Sequence, residues 1–235
     1  MSADITPELL AALTELDTPT VCNALEEIDQ RSRDGGFTTE PLVCPFPHLK
    51  SIVGVAKTGL IRSVNPGMLQ GDAAAKKRVD YYEYVSQGDT PKISILQDLD
   101  GARAGTGAFW GEVNSNIHKA LGCLGVVTDG CIRDIPDWAE GFQAIAGSIK
   151  PSHAHVHMVE FGVQANIGGM IVNDGDLVHA DQHGAVVVPM KFAHEVVAAA
   201  GRVADKEKVI LDICMGNGFT WAKLKAAMVG PKDIH

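Results

Sequence analysis

Apolar and polar positions follow two different periods along this chain of 235 residues. Short apolar runs predict buried strands at 52–61, 92–97, 125–128 and 142–146. Stretches of helical period predict helices between them, at 72–86, 112–121 and 134–140. Strands that alternate with helices of this length are typical of right-handed crossovers and a parallel sheet. The pattern therefore predicts an α/β protein.

The pattern changes after Pro151, where short strands separated by turns are predicted at 153–161, 165–167, 170–172, 176–180 and 185–188. These strands predict a second, partly antiparallel sheet stacked on the first. No flexible linker separates the two halves, so we expect one domain over residues 1–235. Its core would span about 18–190, followed by a helical extension over about 191–235.

Further helices are predicted at both ends of the chain. Thr6-Pro7 and Thr18-Pro19 each place an N-cap hydroxyl before a proline in the first turn, which predicts two short helices. Residues 190–211 predict a long helix and 216–230 a terminal one. Residues 30–47 are polar and lack a period, so we expect a loop there.

Composition narrows the possible partners. The chain is 46% hydrophobic and carries 20 Lys and Arg against 29 Asp and Glu, a net charge of −9. An acidic chain without a basic stripe argues against binding to nucleic acid. No signal peptide or membrane span is predicted, and the five cysteines form no CxxC motif. We therefore expect a soluble cytoplasmic protein with free thiols.

Residues 105–134 carry the richest candidate chemistry. A glycine loop turns at Gly111 into a helix whose first residues are Glu112, Val113 and Asn114. The first amides of a helix have no acceptor within it, and the helix dipole favours anions there. This turn is therefore a candidate binding site for a carboxylate or a phosphate.

A second group of polar residues is predicted to lie beside that helix end. The strand 125–128 is followed by Asp129-Gly130, and Arg133 and Asp134 stand where the next helix is predicted to begin. Loops at the carboxyl ends of neighbouring parallel strands open on the same edge of a sheet. Arg133 would hold an oxyanion and Asp134 a divalent metal, which together suit an α-keto acid. The alternative is a surface ion pair at a helix start, which contributes little.

The same segment resembles the RraA-like family, which includes the metal-dependent (class II) 4-hydroxy-4-methyl-2-oxoglutarate / 4-carboxy-4-hydroxy-2-oxoadipate aldolases. The resemblance covers roughly residues 18–190 and combines several motifs that are weak individually. These motifs are Trp110-Gly111-Glu112, Asp129-Gly130-x-x-Arg133-Asp134, Gly54-Val55-Ala56-Lys57-Thr58, Gly175-Asp176 followed by Asp181, and Gly184-Ala185-Val186-Val187-Val188-Pro189.

The resemblance implies a single-domain β/β/α swivelling fold with two stacked sheets and flanking helices, assembled as a homotrimer or homohexamer. It also implies that Asp134 ligates Mg²⁺ or Mn²⁺, that Arg133 stabilises the pyruvyl oxygen, and that Glu112 helps to hold water on the metal. Gly111 and the amides of Val113 and Asn114 would bind the substrate carboxylate. Glu112 stands where characterised aldolases carry Asp.

The implied reaction is retro-aldol cleavage of a 4-hydroxy-2-oxo acid to pyruvate, with decarboxylation of oxaloacetate as an expected side activity. Retro-aldol chemistry needs a sink for electrons on the keto oxygen, which a divalent cation and a guanidinium can both provide. The family's regulatory members instead inhibit a ribonuclease by binding protein partners. Because the metal-binding Asp is replaced in those members and Asp134 is present here, the enzyme is favoured.

Two other kinds of site are open from the residues alone. Lys57 lies in an apolar strand and could form a Schiff base, or its stem could pack there while the ammonium reaches water. His153, His155 and His157 would share one face of a predicted strand and could bind zinc, although a polar surface is the commoner outcome. His179 follows nearby, and its role is open.

Overall fold

The structure is a computed structural model that describes residues 5–229. The strands span Ile52–Arg62 (β1), Lys92–Asp98 (β2), Ala108–Trp110 (β3), Cys123–Ile132 (β4), Gln143–Ile149 (β5), His157–Phe161 (β6), Ala165–Ile167 (β7), Met170–Val172 (β8), Leu177–Asp181 (β9) and Gly184–Val188 (β10). The helices span Pro7–Thr14 (α1), Thr18–Ile28 (α2), Gly71–Ser86 (α3), Glu112–Ala120 (α4), Ala193–Met215 (α5) and Trp221–Val229 (α6).

A mixed sheet of eight strands, running β10-β9-β1-β2-β4-β3, forms the centre of the molecule, with β5 beside β4 and β6 beside β1. Strands β1 to β5 pair in parallel, whereas β6, β9 and β10 pair antiparallel. This confirms the α/β class and the parallel core. Three of the five strands predicted after Pro151 join this main sheet.

In the part of the chain that the structure describes, only β7 and β8 form a second sheet, a two-stranded antiparallel hairpin. It packs on one face of the main sheet, where its residues share an apolar cluster with Ile93, Ile95 and Val127. A second stacked sheet is therefore present as predicted, but the prediction that β6, β9 and β10 belong to it is wrong. The opposite face of the main sheet is covered around Leu96 and Trp110 by α3 and α4.

The first two helices begin close to their predicted positions. Thr6 caps α1, accepting a hydrogen bond from the Leu9 amide at 3.2 Å. The cap of α2 is Asp17, one residue before the predicted Thr18. Thr18 lies in the first turn, and its amide donates to Asp181 at 2.9 Å. The N-cap prediction for Thr18 is therefore wrong by one residue, because Asp17 has an oxygen in reach of the Thr20 amide.

Strand β4 is longer than predicted and contains a bulge. Thr128 pairs with Ala146 and Cys131 with Ser148, so β4 holds one more residue than its partner over this stretch. Asp129 and Gly130 therefore lie within the strand and do not end it. The neighbouring strand accommodates the bulge through Gly147, where a Cβ atom would collide with the Asp129 carbonyl.

The predicted helix at 134–140 is wrong. Asp134 adopts a left-handed conformation (φ 56°, ψ 41°), and only a short 3₁₀ turn, Ile135–Asp137, follows it. Trp138 then returns to an extended conformation, and its indole N–H donates to the Phe142 carbonyl at 2.8 Å. Burial of Trp138 thus stops the turn before it becomes an α-helix.

Helix α5 begins three residues later than predicted, and its buried residues all lie in its first half. Its buried residues are Ala193, Val196, Ala199 and Ala200. Helix α6 contains no buried residue. Within residues 5–229, no helix is long and apolar enough to cross a membrane.

Candidate functional site

A cleft of about 930 Å³ opens where β3 meets α4 and where β4 ends. Helix α3, the loop at 65–70 and the segment at 153–159 form its other walls. All six residues that the sequence placed in one site line this cleft: Gly111, Glu112, Val113, Asn114, Arg133 and Asp134. The fold brings them together although they come from two separate segments.

Gly111 allows the two segments to approach each other closely. A Cβ atom at Gly111 would collide with Asp134 Oδ2 and crowd the side chain of Arg133. The same Asp134 oxygen accepts a hydrogen bond from the Glu112 amide at 3.3 Å. Asp134 therefore lies directly over the first turn of α4.

Arg133 is fixed at its backbone and partly free at its side chain. Its amide donates to the Trp110 carbonyl at 3.0 Å, which ties the end of β4 to the end of β3. Its Nε lies 3.5 Å from Asp134 Oδ2, and both side chains are 36% exposed. The pair is loose enough for the guanidinium to donate to a ligand as well.

The first turn of α4 keeps only some of its amide donors available. The N-cap is Gly111, which has no side chain to cap the helix, and the Asp134 carboxylate takes the Glu112 amide. Ser, Thr, Asp or Asn at this position would offer an oxygen to the second or third amide of the helix. Gly111 offers no such oxygen to the amides of Val113 and Asn114, and both residues line the cleft. Val113 is itself 69% exposed.

Sequence reasoning missed Tyr82, which also lines the cleft. Its hydroxyl donates to Asn114 Oδ1 at 2.6 Å, and Asn114 Nδ2 donates to the Phe109 carbonyl at 2.5 Å. Burial raises the pKa of Tyr82. The signal in the sequence was the tyrosine cluster at 81, 82 and 84, which does not by itself show which ring faces a cleft.

A buried polar chain lies behind α4. His118 is fully buried, and its Nδ1 lies 2.7 Å from the Asn114 carbonyl. Its Nε2 lies 3.0 Å from the Tyr81 hydroxyl, which is in turn 3.1 Å from Ser94 Oγ. Burial lowers the pKa of His118 to about 4. The Trp110 ring is tilted 52° against the His118 ring, with centroids 4.4 Å apart. Trp110 is fully buried, so it packs in the core and does not line the cleft.

The three alternating histidines line the cleft but do not share a strand face. Strand β6 begins only at His157, because Ala154 takes a positive φ of 42°. The His155 amide donates to the Ser63 carbonyl at 3.1 Å, and His157 Nδ1 lies 2.8 Å from the His155 carbonyl. The predicted strand at 153–156 is therefore wrong, as is the shared face of His153, His155 and His157.

His179 lies away from the cleft, in the core between α1, α2 and β9. Its Nδ1 lies 3.0 Å from Thr18 Oγ1, and its Nε2 lies 3.2 Å from the carbonyls of Leu13 and Leu16. Burial lowers the pKa of His179. The residue thus joins the N-terminal helices to the main sheet.

Lys57 does not line the cleft. Its Nζ lies over the Tyr84 ring, 4.6 Å from the centroid, which is a cation–π contact. The packing alternative for Lys57 therefore describes its position better than a Schiff-base amine in this cleft.

Three acidic residues support the loops near the cleft. Asp98 is buried and accepts hydrogen bonds from the Gly105 and Asp100 amides. Asp100 accepts from the amides of Ser63 and Val64. Asp129 Oδ1 accepts from the Asp98 amide at 2.6 Å, and burial raises the pKa of Asp129 to about 7.

The donor set of the cleft suits a hard divalent cation that keeps most of its water. Over residues 5–229, no three His, Cys, Asp or Glu side chains are grouped so that they could hold a metal alone. Mg²⁺ is commonly bound by one or two carboxylates together with water and substrate oxygens. Asp134, with Glu112 on the adjoining turn, provides such a set.

The family model described as "Aldolase/RraA" matches residues 18–187. The chain is 28% identical over 175 residues to a protein of Halalkalibacterium halodurans named as a candidate 4-hydroxy-4-methyl-2-oxoglutarate aldolase, covering 71% of this chain and 73% of that protein. It is 34% identical over 118 residues to an uncharacterized protein of Methanocaldococcus jannaschii. That match covers 49% of this chain and only 57% of the other protein.

Among solved structures, the chain is similar to RraAS2 of Streptomyces coelicolor, which is described as an unusual member of the RNase ES inhibitor RraA protein family. The TM-score is 0.67 at 25% identity, covering 87% of this chain and 96% of that one. The family model, the aldolase-named relative and the shared fold agree. The chain belongs to the RraA-like family of aldolases and RraA proteins.

Proposed function

We propose that this protein is a lyase dependent on a divalent metal, which cleaves a 4-hydroxy-2-oxo acid to pyruvate by retro-aldol chemistry. The observation that carries the proposal is the position of Arg133 and Asp134 over the first turn of α4, whose N-cap residue Gly111 has no side chain, inside one cleft. Membership of the RraA-like family and the aldolase-named relative support it.

In this proposal the first turn of α4 binds the C1 carboxylate of the substrate. The amides of Val113 and Asn114 are the donors, and the helix dipole adds to the attraction. The absence of a side chain at Gly111 lets Asp134 lie against this turn, beside the proposed carboxylate site. This end of the cleft therefore sets the orientation of the keto acid.

Arg133 would donate to the C2 oxygen, where negative charge develops as the C3–C4 bond breaks. A guanidinium stays protonated throughout and so stabilises an enolate without taking part in proton transfer. Asp134 would hold Mg²⁺ or Mn²⁺, which when bound supplies Lewis-acid polarisation of the keto group. Glu112, whose exposed carboxylate pairs with no residue among 5–229, would hold water beside it.

The same stabilisation of an enolate would decarboxylate oxaloacetate, since loss of CO₂ leaves its electrons on the same carbon. We further propose a homotrimer or homohexamer that works in the cytoplasm. Sedimentation velocity of the purified protein tests the assembly, and a monomer would contradict it.

The test measures the release of pyruvate from 4-hydroxy-4-methyl-2-oxoglutarate, in an assay that couples pyruvate to the oxidation of NADH. We compare the wild type with Asp134→Asn and with Asp137→Asn as the matched control, each with Mg²⁺ or with EDTA. Asn tolerates the left-handed backbone at position 134, so the fold should survive. We expect activity to be lost with EDTA and in Asp134→Asn, and kept in Asp137→Asn. Undiminished activity in Asp134→Asn would contradict the metal role.

The likeness to RraAS2 supports a second candidate, a regulator that binds a ribonuclease without catalysis. A catalytically silent wild type that slows RNA cleavage by a purified RNase E-type enzyme would favour it. Metal-dependent pyruvate release without any effect on RNA cleavage would favour the lyase.

A further inference from the structure

We infer that Tyr82 is a positioning residue of this site, which holds the first turn of α4 in place through the side chain of Asn114. The inference deepens the proposed function, because the ligand of that turn is the keto acid proposed above. It assigns a role to helix α3, which supplies one wall of the cleft.

The first turn of α4 lacks the usual means of fixing a helix start. Gly111 provides no capping oxygen. The side chain of Asn114 reaches backwards instead, and its Nδ2 donates to the Phe109 carbonyl at the end of β3. This contact anchors the turn to the sheet and still leaves the amides of Val113 and Asn114 open.

Tyr82 completes the anchoring of Asn114. Its hydroxyl donates to Asn114 Oδ1 at 2.6 Å, so both ends of the amide group have a partner. With Oδ1 held, the amide cannot rotate without breaking two hydrogen bonds. The Tyr82 hydroxyl carries its proton at neutral pH, as an ordinary tyrosine does, and is therefore a donor there. Burial raises its pKa further.

The neighbouring residue Tyr81 holds the same helix at a second point. Its hydroxyl contacts His118, one helical turn beyond Asn114, and both partners are fully buried. The contact with His118 fixes the body of α4 in the core, whereas the contact with Asn114 fixes its first turn at the cleft. Loss of the Tyr82 hydroxyl should therefore loosen the first turn and leave the rest of α4 in place.

The experiment compares Tyr82→Phe with Tyr84→Phe. Tyr84 is the matched control, because it lies on the same helix and its hydroxyl bonds to the Thr58 amide and to Asp174, outside the cleft. We measure the dissociation constant of pyruvate by calorimetry in the presence of Mg²⁺. We also measure amide hydrogen exchange over residues 112–118 by mass spectrometry, together with the melting temperature.

For Tyr82→Phe we expect the Kd of pyruvate to rise about fivefold, the effect of one ordinary hydrogen bond. Exchange at the Ser115 amide, the first in α4 with a backbone acceptor (the Gly111 carbonyl at 3.0 Å), should accelerate by a similar factor. Tyr84→Phe should change neither quantity, even if it lowers the melting temperature more.

Unchanged exchange over 112–118 in Tyr82→Phe would overturn the inference. So would equal weakening of pyruvate binding in both variants, because a general loss of stability would then explain it. A wild type that binds no pyruvate would instead refute the proposed ligand, and the exchange measurement would still decide the role of Tyr82.

Discussion

Asp134 Oδ2 accepts a hydrogen bond from the Glu112 amide at 3.3 Å, through the space that a side chain on Gly111 would occupy. The carboxylate proposed to hold the metal and the turn proposed to hold the substrate are thus in direct contact. Any change that separates them should affect both functions together.

Gly111→Ala should abolish most of the activity. The added methyl would displace Asp134, and misplacement of a catalytic group by about 1 Å can cost on the order of 100-fold in rate. Because the Asp134 side chain is 36% exposed and can move away, the free energy of unfolding should change little. Pyruvate release and urea denaturation measure the two effects.

The matched control is Gly201→Ala, in the middle of α5, where an added Cβ would meet no atom within 4 Å. That change should keep full activity and raise the free energy of unfolding by about 0.5–1 kcal/mol, because Ala is the better helix former. Equal activity of the two variants would contradict the contact proposed at Gly111.

Arg133→Lys should lower kcat by about 10–100-fold and leave the melting temperature nearly unchanged. Lys keeps the charge but loses the planar set of donors, and an ion pair with both side chains 36% exposed contributes little to stability. Steady-state kinetics measure the first effect and thermal unfolding the second. Arg103→Lys, at an exposed position outside the cleft, provides the control. A kcat for Arg133→Lys equal to that of the control would refute the role of the guanidinium.

The contribution of His118 to stability should depend on pH. In the folded protein burial lowers its pKa to about 4, against 6.5 for the free side chain. Between these values the unfolded chain takes up a proton and the folded protein does not, so acidification favours unfolding by up to about 1 kcal/mol per pH unit. The stability difference between wild type and His118→Gln should therefore shrink as the pH falls from 6.5 to 4.5. Urea denaturation across this range measures it, and parallel curves would contradict the shift.

The contribution of Asp129 to stability should depend on pH in the opposite direction to that of His118. Its folded pKa is raised to about 7 from 3.8, so the buried carboxyl keeps its proton where the unfolded chain has lost it. Its stability contribution is present below pH 3.8 and is lost as the pH rises to about 7. Relative to Asp129→Asn, the wild type should lose about 1 kcal/mol per pH unit over this window. Denaturant titrations between pH 4 and 7 give the difference, and a constant offset would refute the prediction.

Four of the five parallel strands were predictable because their apolar runs are buried on both faces. The short strand β3 was missed, since it lies in the segment that was expected to be a glycine loop. β2 differs from its prediction by one residue at the end, and β7 and β8 match theirs. The six site residues were predictable as neighbours, since carboxyl ends of parallel strands share an edge. Family motifs then favoured a chemistry that residue spacing alone leaves open.

The errors arose where tertiary contacts overrode local pattern. Asp134 has a left-handed backbone, and burial of Trp138 ends the turn that follows. The helical period of residues 134–140 therefore predicted a helix that does not form. His155 leaves the expected strand because its amide bonds to Ser63, a partner remote in sequence. The role of Tyr82 could not be predicted from the sequence, because only the packing of α3 on α4 shows which tyrosine contacts Asn114.

The bulge at Asp129-Gly130 determines to which face of the sheet each later side chain of β4 points. Side chains alternate between the faces of a strand, so one extra residue exchanges the two faces from that point onward. Cys131 and Ile132 are both buried, and Arg133 and Asp134, which follow them, line the cleft. In a chain shortened by one residue at this point, each side chain after the bulge would point to the opposite face of the sheet. The extra residue of the bulge thus determines where the charged groups of Arg133 and Asp134 lie, although it precedes both of them in the chain.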